Sequence, residues 1–236
     1  MSVKVRVHQH PWNVSHTQAE AIQRRLVGYL KPQGSLDGVN LVAGIDVSFP
    51  RDLRRGDQQW ARAAVIVLSY PDLKPVEQVV AERPVDWPYI PGLLSFREGP
   101  GVLEALEKLE TEPNLLMFDA QGLAHPRRMG LATHLGILLD RPAIGCAKSR
   151  LCGQYQEPAP HKGAWTPLID RGEQIGAVVR SRDHVKPIFV SIGQHVDLET
   201  AIHFTLSCCP RYRLPEPTRL AHRLAGGERL SFSTLE

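Results

Sequence analysis

The sequence predicts an α/β protein whose mixed β-sheet is flanked by helices, and three observations carry that prediction. Apolar, β-branched runs of strand length recur along the chain. Three of them follow one another with only short connections. In the second half, such runs alternate with segments of helical period.

Taken in order, Thr17-x-x-Glu20 has capping-box form, and Ile22, Leu26, Tyr29 and Leu30 recur at helical spacing. This predicts a helix over 16–30, ended by Pro32 and Gly34. Residues 39–48 (VNLVAGIDVS) and 61–69 (ARAAVIVLS) read as strands, and 76–83 as a third after the Tyr70-Pro71-Asp72 turn. Their short connections favour an antiparallel meander. A helix follows over 92–110, with Leu103, Leu106 and Leu109 facing inward. Then come a strand at 114–118 (NLLMF), a helix at 128–140 and a strand at 143–147. Such alternation reads as a parallel sheet with crossover helices. A three-strand meander continued by α-β-α-β is the order of the ribonuclease-H-like fold. Residues 172–180 and 187–191 suggest further strands, and 197–208 an amphipathic helix, before an Arg- and Pro-containing tail. Residues 1–236 read as a single domain, with 223–236 a mobile tail.

Composition narrows the function classes. The 236 residues, 42% of them hydrophobic, suit one large domain or two small ones. A formal charge of +3 excludes a polybasic nucleic-acid tail, and 6% aromatics argues against a long stacking track. No run approaches the roughly 20 apolar residues of a spanning helix. The start, MSVKVRVHQHP, has no apolar core of a secretory signal, so the expected location is cytoplasmic, with no membrane partner. Cys146, Cys152, Cys208 and Cys209 form no CxxC pair and read as buried free thiols of a reducing compartment.

Two carboxylates stand out. Asp46 comes late in a strand of otherwise apolar or small residues, and Asp119 directly follows NLLMF. A half-buried carboxylate is costly unless it is paired or bound to a metal, and ligands collect at the carboxyl ends of such strands. Two acids on neighbouring strands suit a hard cation such as Mg²⁺; each alone suits a turn or helix cap. Glu98 reads as a solvated surface charge, or as a third ligand if its helix crosses those strand ends. The Asp119-Ala120-Gln121-Gly122 turn admits close backbone approach by a ligand, and Arg127-Arg128 beyond it could face phosphates.

Six ordered segments then resemble one family. They are GIDVSF (44–49), PYIPGLLSFRE (88–98), FDAQGLAHPRRMGLATHLGILL (118–139), AIGCAKSRL (143–151), KPIFVSIG (186–193) and YRLPEPTRLAH (212–222). Together they are similar to endonuclease V over about residues 12–222. The resemblance implies a ribonuclease-H-like fold and a Mg²⁺-dependent nuclease, in which Mn²⁺ can substitute. It implies recognition of hypoxanthine (deoxyinosine) in DNA and hydrolysis of the second phosphodiester bond 3′ to the lesion. The ends left are 3′-hydroxyl and 5′-phosphate. An inosine-specific endoribonuclease acting on inosine-containing RNA, and a non-catalytic reader of deaminated nucleic acid, are the alternatives. A monomer is expected.

By position, the resemblance makes Asp46, Glu98 and Asp119 the acidic metal ligands, with Lys148 and His222 completing the catalytic set. Carboxylates with a divalent ion, a fixed lysine charge and an imidazole are the groups phosphodiester hydrolysis needs. Pro88-Tyr89-Ile90-Pro91 looks like the family's wedge, with Tyr89 filling the gap left by an extruded nucleotide. The base pocket implied comprises Gly92, Leu94, Ala120, His125, Gly130, Ala147 and Ser149. Arg127, Arg128, Lys148, Arg150, Arg211, Arg213 and Arg219 fall in segments expected to face the nucleic acid, so that face should be more basic than the whole chain. The chain departs from the family pattern in three places. Ala120 stands for a usual Gly, Gln194-His195 for a His and a basic residue, and Phe49 for a frequent Tyr.

Overall fold

A computed structural model describes residues 7–34, 36–50 and 58–230. The reading of a missing secretory signal falls partly, and that of the tail end (231–236) wholly, outside the described residues. The first helix, α1 (His16–Leu26), continues into a 3-10 turn, Val27–Tyr29. Its capping box lies two residues before the expected one. Ser15 Oγ accepts from Gln18 N, and Gln18 Oε1 accepts from Ser15 N. Glu20 is left to pair with Arg24 and Arg127 instead.

The meander is present as β1 (Leu41–Ser48), β2 (Trp60–Ser69) and β3 (Pro75–Pro84), paired antiparallel. After α2 (Leu94–Glu107) come β4 (Leu115–Phe118), α3 (Leu131–Leu139) and β5 (Ala143–Ala147), and β1, β4 and β5 pair in parallel. The sheet is extended by β8 (Ile188–Gln194), β7 (Glu173–Val179) and β6 (Trp165–Asp170), all antiparallel. The order across its eight strands is β3-β2-β1-β4-β5-β8-β7-β6. Helices α4 (Leu198–Ser207) and α5 (Glu216–Ala225) follow.

Strand alternation sends the two sheet faces into separate cores. Ala43, Ile45, Leu116 and Phe118 pack with α2 and α3 residues such as Val102, Leu106, Leu135 and Leu138. Val42, Leu115, Met117 and Cys146 pack with Phe204 of α4 and with Leu220 and Ala221 of α5. The result is helix, sheet, helix: the expected ribonuclease-H-like α/β architecture.

Two elements correct the sequence reading. β6 was not foreseen, and the closing tail contains α5, so Arg223–Ala225 are a helix turn rather than the start of a mobile tail. Leu224 and Ala225 pack on Ala64, and Gln78 Nε2 donates to the Leu230 carbonyl, which ties the described part of the tail to the sheet. Cys146, Cys208 and Cys209 are buried free thiols as expected, whereas Cys152 is half-buried. No helix among the described residues is long and apolar enough to cross a membrane.

Candidate active site

The pairing of β1 with β4 brings the two strand-end aspartates together. Ile45 aligns with Phe118, and Asp119 N donates to the Ile45 carbonyl, so the next residue on each strand is an Asp. Both follow from the face shared with α5, two residues on from Gly44 and Met117. Gly44 is where α5 touches down, because a β-carbon there would collide with the Pro217 carbonyl. Five residues later on that helix, His222 Nδ1 lies 2.6 Å from Asp46 Oδ2. Donor atoms of Asp46, Asp119 and His222 all lie within 4.8 Å of one another.

Lys148 follows β5, the next strand over. Its Nζ is 2.5 Å from Asp119 Oδ2 and 3.4 Å from His222 Nδ1. Asp119 Oδ2 is buried and has no hydrogen bond of good geometry, so this ion pair is all that satisfies it among the described residues. Glu98 enters from α2, in the opposite helix layer, and is 8% exposed rather than a solvated surface charge. Burial above all, with the negative fields of Asp46 and Asp119, pushes its carboxyl up to about 8. Asp46 is likewise raised, by burial first and by Asp119 next. His222, not Glu98, is therefore the third member of the tight cluster, with Glu98 beside it. Crowded, half-buried carboxylates that repel one another and an oxygen without a good hydrogen bond fit a divalent cation.

A partly enclosed cavity opens beside this cluster. It shares α2 with Glu98 through Leu94 and Ser95, and the turn after Asp119 through Ala120 and Gln121. Of the residues expected in the wedge and base pocket, Tyr89, Ile90, Pro91, Gly92, Leu94, Ala120, His125 and Gly130 line it. Pro88, Ala147 and Ser149 do not: Pro88 is exposed, Ala147 packs with Ala124 and Phe189, and Ser149 is exposed with its carbonyl held by Gln121 Nε2 at 2.8 Å. Ser95, Gln121, Met129, Leu131 and Leu151 also line the cavity and were missed, though each lies in or next to a segment already singled out. Tyr89, 70% exposed, stands at the rim.

The wall is stiffly held. Gly92, at φ +80°, accepts through its carbonyl from His125 Nε2 at 2.9 Å, Arg127 Nη2 at 2.7 Å and Gln23 Nε2 at 3.0 Å. A β-carbon at Gly92 would lie 2.8 Å from Arg127 Nη2, so both the backbone angle and the space call for glycine. His125 Nδ1 accepts from Arg127 N, which leaves the ring neutral and both nitrogens committed. Burial, helped by the Arg127 charge, drops its pKa to about 4.

Several of the basic residues expected to face the nucleic acid are held by partners within the chain. Arg127 pairs with Glu20 and Gln23, and Arg128 with Asp170 and Glu173. Arg213 donates to the Lys186, Lys148 and Pro187 carbonyls, and Arg219 pairs with Glu216. Lys148 is ion-paired within the cluster, while Arg150 and Arg211 stay exposed. At the departures from the family pattern, Gln194 Oε1 accepts from Lys31 N and His195 Nε2 meets Asp140, which anchors the chain after α1. Phe49 lies under the Arg97 guanidinium.

The family model described as Endonuclease V matches residues 24–223. Endonuclease V of Trichormus variabilis is 52% identical over 217 residues, spanning 92% of this chain and 96% of that protein. Among solved structures, endonuclease V of Bacillus subtilis superposes with a TM-score of 0.87 at 32% identity, covering 92% of this chain and 94% of that one. Ciona intestinalis endonuclease V, in complex with a 24mer DNA containing an inosine followed by a ribo-adenosine, gives a TM-score of 0.75 at 28% identity. It covers 89% of this chain and 96% of that one.

Proposed function

The chain belongs to the endonuclease V family and is a nuclease, a hydrolase of phosphodiester bonds, and from that premise we propose that it is a Mg²⁺-dependent enzyme that cuts DNA at deoxyinosine. The bond hydrolysed is the second one 3′ to the lesion, leaving 3′-hydroxyl and 5′-phosphate ends. The chain acts as a single domain and as a monomer. The observation that carries this reading is the convergence of Asp46, Asp119 and His222 within 4.8 Å, with Glu98 buried in their field, beside a cavity lined by Gly92, Ala120, His125 and Gly130.

Asp46, Asp119 and Glu98 would hold the metal, and Mn²⁺ can replace Mg²⁺ there. A divalent cation supplies charge neutralisation at the scissile phosphate and acidity to the attacking water. Lys148, released from Asp119, puts a fixed positive charge beside the phosphate. His222 Nδ1, now facing Asp46, holds or passes a proton at the reacting water. The cavity between Gly92, Ala120, His125 and Gly130 takes the extruded base. Tyr89 fills the gap in the stack, on a loop stiffened by Pro88 and Pro91.

Matched DNA and RNA oligonucleotides, with and without one hypoxanthine, test this in a nicking assay with and without Mg²⁺. The expected result is a Mg²⁺-dependent cut of the deoxyinosine strand, one nucleotide removed from the lesion's own 3′ phosphate. No Mg²⁺-dependent cut of a modified strand, or full activity in Asp46→Ala, sinks the proposal. Cleavage of the RNA strand alone replaces it with an inosine-specific ribonuclease.

A further inference from the structure

Ser95 lines the cavity, is 2% exposed, and sits one helical turn before Glu98 on α2. From it a chain of hydrogen bonds runs through the helix layer to a second, open groove lined by His10. Ser95 Oγ is 2.8 Å from His134 Nδ1, His134 Nε2 is 2.7 Å from His10 Nε2, and His10 Nδ1 is 2.9 Å from the Pro11 carbonyl.

The far end sets the direction of every proton in this chain. A carbonyl oxygen only accepts, so His10 Nδ1 is the donor to Pro11. In a neutral imidazole Nε2 is then bare, and it accepts from His134 Nε2–H. His134 Nδ1 is bare in turn and accepts from the Ser95 hydroxyl. Burial lowers the pKa of His10 and of His134, which keeps both rings neutral near pH 7, and Trp12 stacks on His134 with centroids 5.3 Å apart. The Ser95 proton is thus committed to His134, and the hydroxyl has a lone pair left for the cavity.

We propose that Ser95 is a specificity-determining residue, held as an acceptor by His134 and His10, that selects a base carrying an N–H on its Watson–Crick edge. The inference rests on the reading of the cavity as the seat of an extruded base. Deamination turns ring N1 of adenine from an acceptor into an N–H donor. Hypoxanthine therefore hydrogen-bonds the Ser95 lone pair, whereas adenine sets lone pair against lone pair at a side chain that is 2% exposed. His134 and His10 touch no base and act as positioning residues.

The test pairs two single-stranded oligonucleotides, which removes the cost of unpairing. One carries deoxyinosine and the other deoxynebularine, a purine whose N1 has a lone pair and no hydrogen. Their Kd values in calcium buffer and their single-turnover cleavage rates in Mg²⁺ are compared for wild type, Ser95→Ala and His134→Phe. Wild type should favour deoxyinosine, and both variants should lose about 10- to 100-fold of that preference, the range for one buried hydrogen bond against an unpaired acceptor. Equal losses on both strands, leaving the ratio intact, would show a merely structural role and overturn the inference. So would a wild-type ratio near one. A wild-type protein that neither binds nor cuts the deoxyinosine strand instead overturns the parent reading, and this one with it.

Discussion

Gly44 lies so close beneath Pro217 that a β-carbon at Gly44 would run into the Pro217 carbonyl. That approach sets the height of α5 above the sheet, and with it the 2.6 Å separation of His222 and Asp46. Gly44→Ala should therefore act twice. Overpacking at so close an approach costs about 1–3 kcal/mol, readable as a lower Tm. Cleavage should fall further than this stability loss explains, because α5 must lift and carry His222 away from Asp46. A variant that is destabilised yet retains wild-type kcat on the folded fraction would refute the second effect.

Charge crowding at Asp46, Asp119 and Glu98 makes a different prediction. Burial and mutual repulsion raise Asp46 and Glu98, so a divalent ion should stabilise the fold by binding only the native state. Added Mg²⁺ should raise the Tm of wild type and leave that of Asp119→Asn almost unmoved. In the same variant cleavage should drop on the order of 100- to 1,000-fold, the scale of losing one electrostatic group at a reacting centre. A normal Mg²⁺ response in a dead Asp119→Asn would place the metal elsewhere.

What could be read from the sequence follows from the kind of signal each element leaves. Asp46 and Asp119 announced themselves because a carboxylate ending an apolar run needs a reason, and the parallel register supplies one. Glu98 could not be placed that way. Its burial depends on α2 crossing the strand ends, a tertiary fact with no local signature. β6 was missed because Leu168 is its only fully buried residue and Pro167 interrupts it, as befits an edge strand. α5 was missed because Pro215 and Pro217 lie in the Arg- and Pro-containing stretch read as a tail. At a helix N-terminus they are favourable, and Leu220, Ala221, Leu224 and Ala225 then give the buried stripe. The partners of the arginines were not legible either: charge in a sequence has no direction, and Arg127 and Arg128 turn inward to Glu20 and Asp170.

The neutral His125 should make the wall of the cavity acid-sensitive. Its pKa falls from 6.5 to about 4 on folding, chiefly by burial. Between those values the unfolded chain binds a proton that the folded one refuses, so stability is full above pH 6.5 and declines as pH drops toward 4. His125→Gln keeps a donor and an acceptor but cannot titrate. Urea midpoints measured across that window should fall less steeply for the variant than for wild type. Identical slopes would mean that other groups, such as the buried His134, carry the whole effect.

Tyr89, 70% exposed, should contribute to binding and hardly at all to the fold. Tyr89→Ala should stay within about 0.5 kcal/mol of wild-type stability. Removing one stacked ring should weaken binding of a deoxyinosine strand by about 10- to 100-fold. The Mg²⁺-induced rise in Tm should be untouched, since Tyr89 is not among the metal-cluster residues. Equal affinity for modified and unmodified strands in both proteins would reject the wedge.

Salt dependence separates a half-buried, doubly ion-paired arginine from an exposed one that donates to the Gly153 carbonyl. Arg128 holds Asp170 and Glu173 at 2.8 Å each while its Nη1 also donates to the His125 carbonyl, so it bolts the cavity wall to the β6–β7 turn. Removing it leaves a half-buried Asp170 without its main partner. Arg128→Met should thus lower Tm by several degrees and keep the slope of log Kd against log salt unchanged. Arg150 is exposed, so Arg150→Ala should do the reverse: little change in Tm, and a slope shallower by about one if its guanidinium neutralises one phosphate. If Arg128→Met instead flattens the slope, the guanidinium leaves its carboxylates to meet the strand, and the wall of the cavity is rebuilt when the nucleic acid arrives.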